Sequence, residues 1–154
     1  MNDEWGTPLE LFKTVNYHLY ECVHDVCASD ENHLGIPYWT KKDDALSKEW
    51  NFPEGTALWC NPPYSRGLIN KFTDKIIEEV HKYNLIVVTL VRLDPSTTWF
   101  KKLYEYGNLW FLPKRLKFRG ATSSYPFPCC IQIVTAGDSL FQPYYLRETY
   151  NNNE

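Results

Sequence analysis

The sequence of 154 residues lacks the features that mark a membrane or exported protein. No stretch approaches the roughly 18 consecutive apolar residues that a bilayer-spanning helix needs. The N-terminus, Met1 to Trp5, is acidic, whereas a signal peptide begins with basic residues and continues with an apolar run. We therefore expect a cytoplasmic protein with no membrane partner.

Signatures of metal and phosphate binding are also missing. The five cysteines show no Cys-x-x-Cys spacing, which argues against a disulfide framework and against a zinc site. His24 and Cys27 have no second ligand pair at ligand spacing, so we expect no metal. There is no glycine-rich phosphate loop, which argues against a nucleotide di- or triphosphate as the ligand.

The net charge is only −3, but it is unevenly distributed. Residues 1–60 carry four basic and eleven acidic side chains, whereas residues 92–119 carry seven basic and two acidic ones. The basic segment also holds aromatic residues, so it can meet phosphates and a base together. An equally good interpretation is a solvated strand edge that charge protects from aggregation. The basic residues concerned are Lys114, Arg115, Lys117 and Arg119.

Hydrophobic periodicity predicts an α/β fold. The clearest helix is 67–83, where apolar residues recur every four positions, and the apolar, β-branched run 85–91 is typical of a central parallel strand. Strand, helix and strand in this order predict a crossover in a compact, mostly parallel sheet with flanking helices. Further predicted strands are 22–29, 36–40, 56–60, 108–112, 115–119 and 129–135, with a helix at about 97–106. The length predicts one domain, at 1–148, with a disordered tail at 149–154.

Thr7, Pro8 and Glu10 have the pattern of a helix start. Thr7 is the expected N-cap, Pro8 the first helical residue, and Glu10 the residue that closes a capping box. The apolar positions that follow, up to Leu19, would form the buried face. This explanation is complete without a functional role for Thr7 or Pro8.

The predicted strand 22–29 ends in small residues. In a parallel sheet, ligands bind at the carboxyl ends of strands. Ala28 and Ser29 would let a ligand approach the backbone closely, and Asp25 can accept a hydrogen bond or face a positive group. Asp25 can equally serve only to cap the turn.

The stretch Asn61-Pro62-Pro63-Tyr64 follows the buried strand 56–60. Asn61 offers an acceptor oxygen, and Pro62 offers a carbonyl on a rigid backbone. Two fixed acceptors beside the ring of Tyr64 suit a planar amino group, such as that of adenine. The simpler alternative is a turn after a strand.

Together these motifs resemble the phage-type DNA N-6-adenine methyltransferases, the Dam family, over roughly residues 3–135. They occur in one order: Asp3-x-Trp5-x-Thr7-Pro8, Asp25-Val26-Cys27-Ala28-Ser29 with Asn32, Asp44-x-Leu46 with Trp50, Trp59 to Ser65, Trp99-Phe100, and Arg115-Leu116-x-Phe118. The resemblance implies a Rossmann-like fold that binds S-adenosylmethionine and methylates adenine in double-stranded DNA. Arg92 departs from the pattern, in which smaller or apolar residues are expected at that point.

The resemblance also implies roles for individual residues. The Thr7-Pro8 segment and the Asp25–Ser29 turn would bind S-adenosylmethionine near its methionine end, and Asp44 would contact its adenine ring. Tyr64 and Phe118 would enclose a target base flipped out of the duplex. The expected cofactor residues are Trp5, Thr7, Pro8, Asp25, Ala28, Ser29, Asp44 and Asn61; the catalytic ones are Asn61, Pro62 and Tyr64; the DNA-binding ones are Tyr64, Arg115, Lys117, Phe118 and Arg119.

Other substrates stay open at this point. The same central motif serves enzymes that methylate RNA adenine or protein glutamine, and a protein that kept the fold without turnover would carry it too. Too few residues separate the motifs to form a recognition domain, so target choice would come from short loops, from a second subunit in a homodimer, or be weak. A phage-encoded protein would act in the host cytoplasm.

Overall fold

The computed structural model describes residues 2–137 and 144–145. Within them, one six-stranded sheet is flanked by three helices, which confirms the predicted α/β class. The helices are α1 (Leu9–His18), α2 (Leu68–Tyr83) and α3 (Thr98–Glu105). The strands are β1 (His24–Asp25), β2 (Ala57–Cys60), β3 (Ile86–Arg92), β4 (Gly107–Phe111), β5 (Cys129–Val134) and β6 (Tyr144–Tyr145). The predicted domain end at 148 and the tail at 149–154 lie outside the described residues.

The sheet is mixed, with the order β1-β2-β3-β5-β4-β6. The pairs β1–β2, β2–β3 and β4–β6 are parallel, whereas β5 is antiparallel to both of its neighbours, β3 and β4. Five strands therefore point in one direction and β5 points in the other. The carboxyl ends of β1, β2, β3 and β4 consequently meet at the same end of the sheet.

Both faces of the sheet are covered, and β2 and β3 are buried along nearly their whole length. On one face, α2 and α3 pack Phe72, Ile76 and Phe100 against the sheet. On the other face, α1 contributes Leu11 and Phe12. The crossover from β2 through α2 to β3 leaves Asn61 at the carboxyl end of β2. Among the described helices, none is long and apolar enough to cross a membrane.

The predicted start of α1 is wrong by one residue. The helix begins at Leu9, and Pro8 precedes it with an extended backbone (φ −60°, ψ 127°). Thr7 does not cap the helix with its side chain, because its hydroxyl oxygen accepts hydrogen bonds from two other side chains. A tertiary contact has therefore replaced the local one that the pattern predicted.

Two predicted strands are reduced to single bridges. The segment 36–40 touches the sheet at one parallel bridge between Asp25 and Tyr38, with Pro37 at the outer edge. The segment 115–119 is not a strand at all, since it forms one antiparallel bridge, between Gly6 and Arg119, within a long loop at 112–128. The helix predicted at about 97–106 is α3, which spans Thr98–Glu105 and is capped by Thr97.

Phe118 lies in the core instead of on a basic surface. Only 1% of this residue is exposed, and its ring contacts Trp5 (centroids 6.1 Å apart) and Tyr125 (5.8 Å). In this structure its ring has no free face for a base, so the predicted sandwich role is corrected. The loop 112–128 is anchored by burial of Leu116 and Phe118, which explains why the alternation there looked like a strand.

Because Phe118 lies in the core, truncation of its side chain should cause a large loss of stability. Phe118→Ala should lower the free energy of unfolding by about 3–5 kcal/mol, because it removes buried area and leaves a cavity. Denaturant unfolding followed by tryptophan fluorescence measures this. The exposed neighbour Phe127 is the matched control, and Phe127→Ala should cost about 0.5 kcal/mol or less. Equal costs at the two positions would contradict the core assignment.

Candidate functional site

A cleft of about 380 Å³ opens where the segments after β1 and β2 face the N-terminal segment. Its size is within the range of small-molecule sites, about 300–1,000 Å³. Of the predicted cofactor residues, only Pro8, which is buried, does not line it. The cleft brings together Trp5, Thr7, Asp25, Ala28, Ser29, Asp44 and Asn61.

The side chain of Asn61 is oriented by Thr7. The Thr7 hydroxyl oxygen accepts from Asn61 Nδ2 (3.3 Å) and from the indole Nε1 of Trp59 (3.2 Å). Trp59 can only donate, which fixes the hydroxyl oxygen as its acceptor. With Nδ2 directed to Thr7, no described residue donates to Asn61 Oδ1, and this oxygen is the acceptor that the cleft presents.

Asp3 holds the rest of the loop after β2. Its carboxylate accepts from the backbone N–H of Tyr64 (3.0 Å) and from the hydroxyl of Ser65. Burial raises the pKa of the Asp3 carboxyl, but the hydrogen bonds from Ser65 and Tyr64 outweigh it and the pKa falls below its ordinary value. Asp3 is part of a sequence motif, but the sequence predicts no role for it, because its hydrogen-bond partner is 61 residues away along the chain.

Asp25 is buried at the inner wall of the cleft, with 4% of the residue exposed. One carboxylate oxygen accepts from the backbone N–H of Cys27 (2.9 Å), so Asp25 caps the turn as one alternative predicted. Burial raises the pKa of Asp25 to about 7, although the Cys27 hydrogen bond and the charge of Arg119 oppose the shift. A buried carboxylate that lines a cleft is a natural neighbour for a cationic group.

Asp44 and its neighbour Asp43 differ in their surroundings. Asp43 accepts from the backbone N–H of Thr40 (2.8 Å) and does not line the cleft. Asp44 is exposed, lines the cleft and has a left-handed backbone (φ 55°), which is uncommon outside glycine. Asp44 is thus the residue available to a ligand.

The described lining of the cleft is acidic. It contains the carboxylates of Asp3, Glu4, Asp25, Asp30, Glu31 and Asp44, against the basic side chains of Lys41, Lys42 and Arg119. Lys41 is paired with Glu4 across the cleft. Arg119 donates to the carbonyl oxygens of Thr7 (2.8 Å) and His33 (3.1 Å), so its guanidinium braces the cleft wall. The predicted phosphate contact of Arg119 stays a prediction.

Tyr64 is tied to the end of β3. Its hydroxyl accepts from the backbone N–H of Arg92 (2.8 Å), and the Arg92 guanidinium carbon lies 5.5 Å from the centre of its ring. Trp99 meets the same ring edge-on, with centroids 5.7 Å apart. Arg92, noted in the sequence only as a departure from a pattern, is therefore part of this site.

The remaining predicted residues lie outside the cleft. Pro62 is buried beside Asn61, while Arg115 is exposed and Lys117 is half-buried on the loop 112–128. This loop leaves the sheet at the carboxyl end of β4, the same end that carries Asn61. In the part of the chain that is described, no group of three His, Cys, Asp or Glu side chains is arranged to hold a metal ion.

Thr7 should be needed for stability through its hydroxyl. Thr7→Val keeps the shape of the side chain but leaves the indole N–H of Trp59 and the amide of Asn61 without their acceptor, which costs about 1–3 kcal/mol. Thr7→Ser keeps the acceptor and should lose about 1 kcal/mol or less. Urea unfolding of the two variants checks this, and similar losses would show that the hydroxyl does not hold the loop.

Asp25 should make the stability of the ligand-free protein depend on pH. Its folded pKa, about 7, lies above the ordinary value of 3.8, so the protonated form is favoured by folding. The stability that this provides is complete below about pH 4 and is lost as pH rises towards 7, at up to about 1.4 kcal/mol per pH unit. Unfolding free energies at about pH 5 and about pH 8 should therefore differ more in the unaltered protein than in Asp25→Asn. Parallel pH profiles would contradict this.

The sequence is similar to those of known proteins. The sequence model of the family described as DNA N-6-adenine-methyltransferase (Dam) matches residues 1–127. The DNA N-6-adenine-methyltransferase of Escherichia phage T1 is 32% identical over 100 residues, which are 65% of this chain and 40% of that protein. The protein of the same name from Haemophilus phage HP1 (strain HP1c1) is 32% identical over 99 residues, 64% of this chain and 54% of that protein.

The chain thus spans about half, or less, of the length of the curated relatives that it matches. Residues 1–127, which the family model matches, nevertheless include the N-terminal segment, the residues that line the cleft and the loop after β2. The chain belongs to the Dam family of DNA N-6-adenine-methyltransferases.

Proposed function

We propose that this chain is a DNA adenine methyltransferase that uses S-adenosylmethionine, built as a single domain of Rossmann-like fold over residues 1–148. The observation that carries the proposal is the held amide of Asn61, whose Nδ2 donates to Thr7 and whose Oδ1 is the acceptor left for a substrate. Family membership and the names of the phage relatives support adenine in DNA as that substrate.

The residues of the cleft fit S-adenosylmethionine. This molecule carries a positive sulfur and an amino group, and the carboxylates of the lining exceed the basic side chains. Asp25 and the Ala28–Ser29 turn would hold its methionine end, and Asp44 its adenine ring. Trp5 and Thr7 complete the wall. When bound, S-adenosylmethionine supplies an electrophilic methyl group to the amino nitrogen of the target.

Asn61 and Pro62 would make the amino nitrogen of the target adenine a better nucleophile. The amino group of adenine is a poor nucleophile because its lone pair is delocalised into the ring. Hydrogen bonds from its two N–H groups to Asn61 Oδ1 and the Pro62 carbonyl favour a pyramidal nitrogen and aim its lone pair at the methyl group. The same acceptors would stabilise the positive charge that develops on nitrogen as the methyl–sulfur bond breaks; S-adenosylhomocysteine would be the leaving product, and the proton would then pass to solvent.

The target amino group lies inside a duplex, so the base has to be flipped out. Tyr64 is the residue that we propose to stack on it, and the buried Phe118 is no longer its partner. Arg115 and Lys117, on the loop at the same end of the sheet, would contact phosphates. A second subunit is a further proposed source of target choice.

The decisive experiment offers the purified chain and labelled S-adenosylmethionine three acceptors: unmethylated genomic DNA, RNA and a glutamine-bearing protein. We expect label in DNA, on N6 of adenine, and sequencing of the product defines the target site. Preferential labelling of RNA or protein would replace the substrate. Cofactor binding by calorimetry without any transfer would indicate a binding protein that has lost turnover.

Asn61→Ala should lower kcat on DNA by at least about 100-fold, since it removes an acceptor that acts on developing charge. Affinity for S-adenosylmethionine, measured by calorimetry, should change far less. Asn70→Ala, which removes an exposed amide on α2, is the matched control and should keep full activity. An active Asn61→Ala protein would remove the central element of the mechanism.

A further inference from the structure

Arg92 covers the ring on which the target base is proposed to stack. It is the last residue of β3, and its backbone N–H fixes the hydroxyl of Tyr64 at 2.8 Å. Its guanidinium carbon then lies 5.5 Å from the ring centre, in the geometry of a cation–π contact. One residue thus anchors Tyr64 through its backbone and covers it with its side chain.

The two side chains that contact the ring of Tyr64 differ in exposure. Trp99, which is 4% exposed, contacts Tyr64 from the apolar core with the two ring planes 77° apart. The side chain of Arg92 is 29% exposed and is the more accessible of the two neighbours. We therefore expect a base that arrives from DNA to meet the guanidinium before it meets the ring.

The guanidinium is held by an incomplete set of partners. One terminal nitrogen is 3.0 Å from a carboxylate oxygen of Asp94, and the other is 3.5 Å from the hydroxyl of Tyr125, at the limit of a hydrogen bond. Its Nε is buried, and no described residue accepts a hydrogen bond from it. A buried charged donor without an acceptor is unfavourable, whereas a phosphate can accept two guanidinium N–H groups side by side.

We propose that Arg92 is a displaceable cover of the stacking site: it occupies the face of Tyr64 in the DNA-free protein and moves to a backbone phosphate when the target base takes that face. This inference rests on the proposed function and adds to it a step that couples base entry to phosphate binding. Asp94 is the group that retains the cover, and the Tyr64 anchor stays in place because it is made by the Arg92 backbone.

The salt dependence of DNA binding tests the movement. A protein that contacts one phosphate fewer loses about one unit from the slope of log Kd against log salt. Arg92→Gln should show this reduction on a duplex that carries the identified target site, with S-adenosylhomocysteine present to prevent turnover. Lys82→Gln, at the opposite end of α2, removes the same charge and should keep the slope. Equal slopes for Arg92→Gln and the unaltered protein would overturn the proposal.

A second variant tests the proposal without removing Arg92. Asp94→Asn leaves Arg92 charged but removes the carboxylate that holds it, so it should bind the same duplex several-fold more tightly with an unchanged slope. Unchanged or weaker binding would overturn the role of a retained cover. If the unaltered chain transfers no methyl group, the proposed function fails. That result comes from an activity assay and is distinct from the two DNA-binding measurements.

Discussion

The hydroxyl group of Thr7 is the contact on which the candidate site depends. It accepts hydrogen bonds from Trp59 and Asn61, so the last strand residues and the first loop residue of the central motif are both fixed by the N-terminal segment. The same segment is fixed from the other side, because Arg119 donates to the Thr7 carbonyl and its backbone pairs with Gly6. Three distant parts of the chain therefore determine where one amide oxygen points.

Acidic and basic residues are also concentrated in different parts of the chain. The acidic residues concentrated in 1–60 include all of the carboxylates that line the cleft, whereas the basic residues of 92–119 lie mostly on the loop after β4 and on α3. A small cationic ligand and a polyanion are thereby favoured at different places on one end of the sheet. Asp25 strengthens the first preference, because a bound cation would offset the cost of ionising a buried carboxyl.

The sequence was most informative where local and tertiary forces agree. The helix α2 and the strands β2 and β3 were predicted nearly to their ends, because their apolar periodicity matches the core that they form. The structure also brings most of the predicted cofactor residues to one cleft, since residues after parallel strands meet at one end of the sheet. Thr7 and Phe118 were misread, because both patterns are locally satisfactory while the actual partners are far away in the chain.

The same reasoning explains why no role was predicted for Asp3 or Arg92. Each acts through backbone N–H groups: Asp3 accepts from Tyr64, and Arg92 donates to the hydroxyl of that residue. Such contacts leave no periodicity, spacing or composition for a sequence to show. Tyr64 is nonetheless held at both ends by them, so its ring cannot turn towards a base without breaking one. A site of this kind keeps its aromatic surface fixed, and in our proposal the group that moves is the guanidinium lying over it.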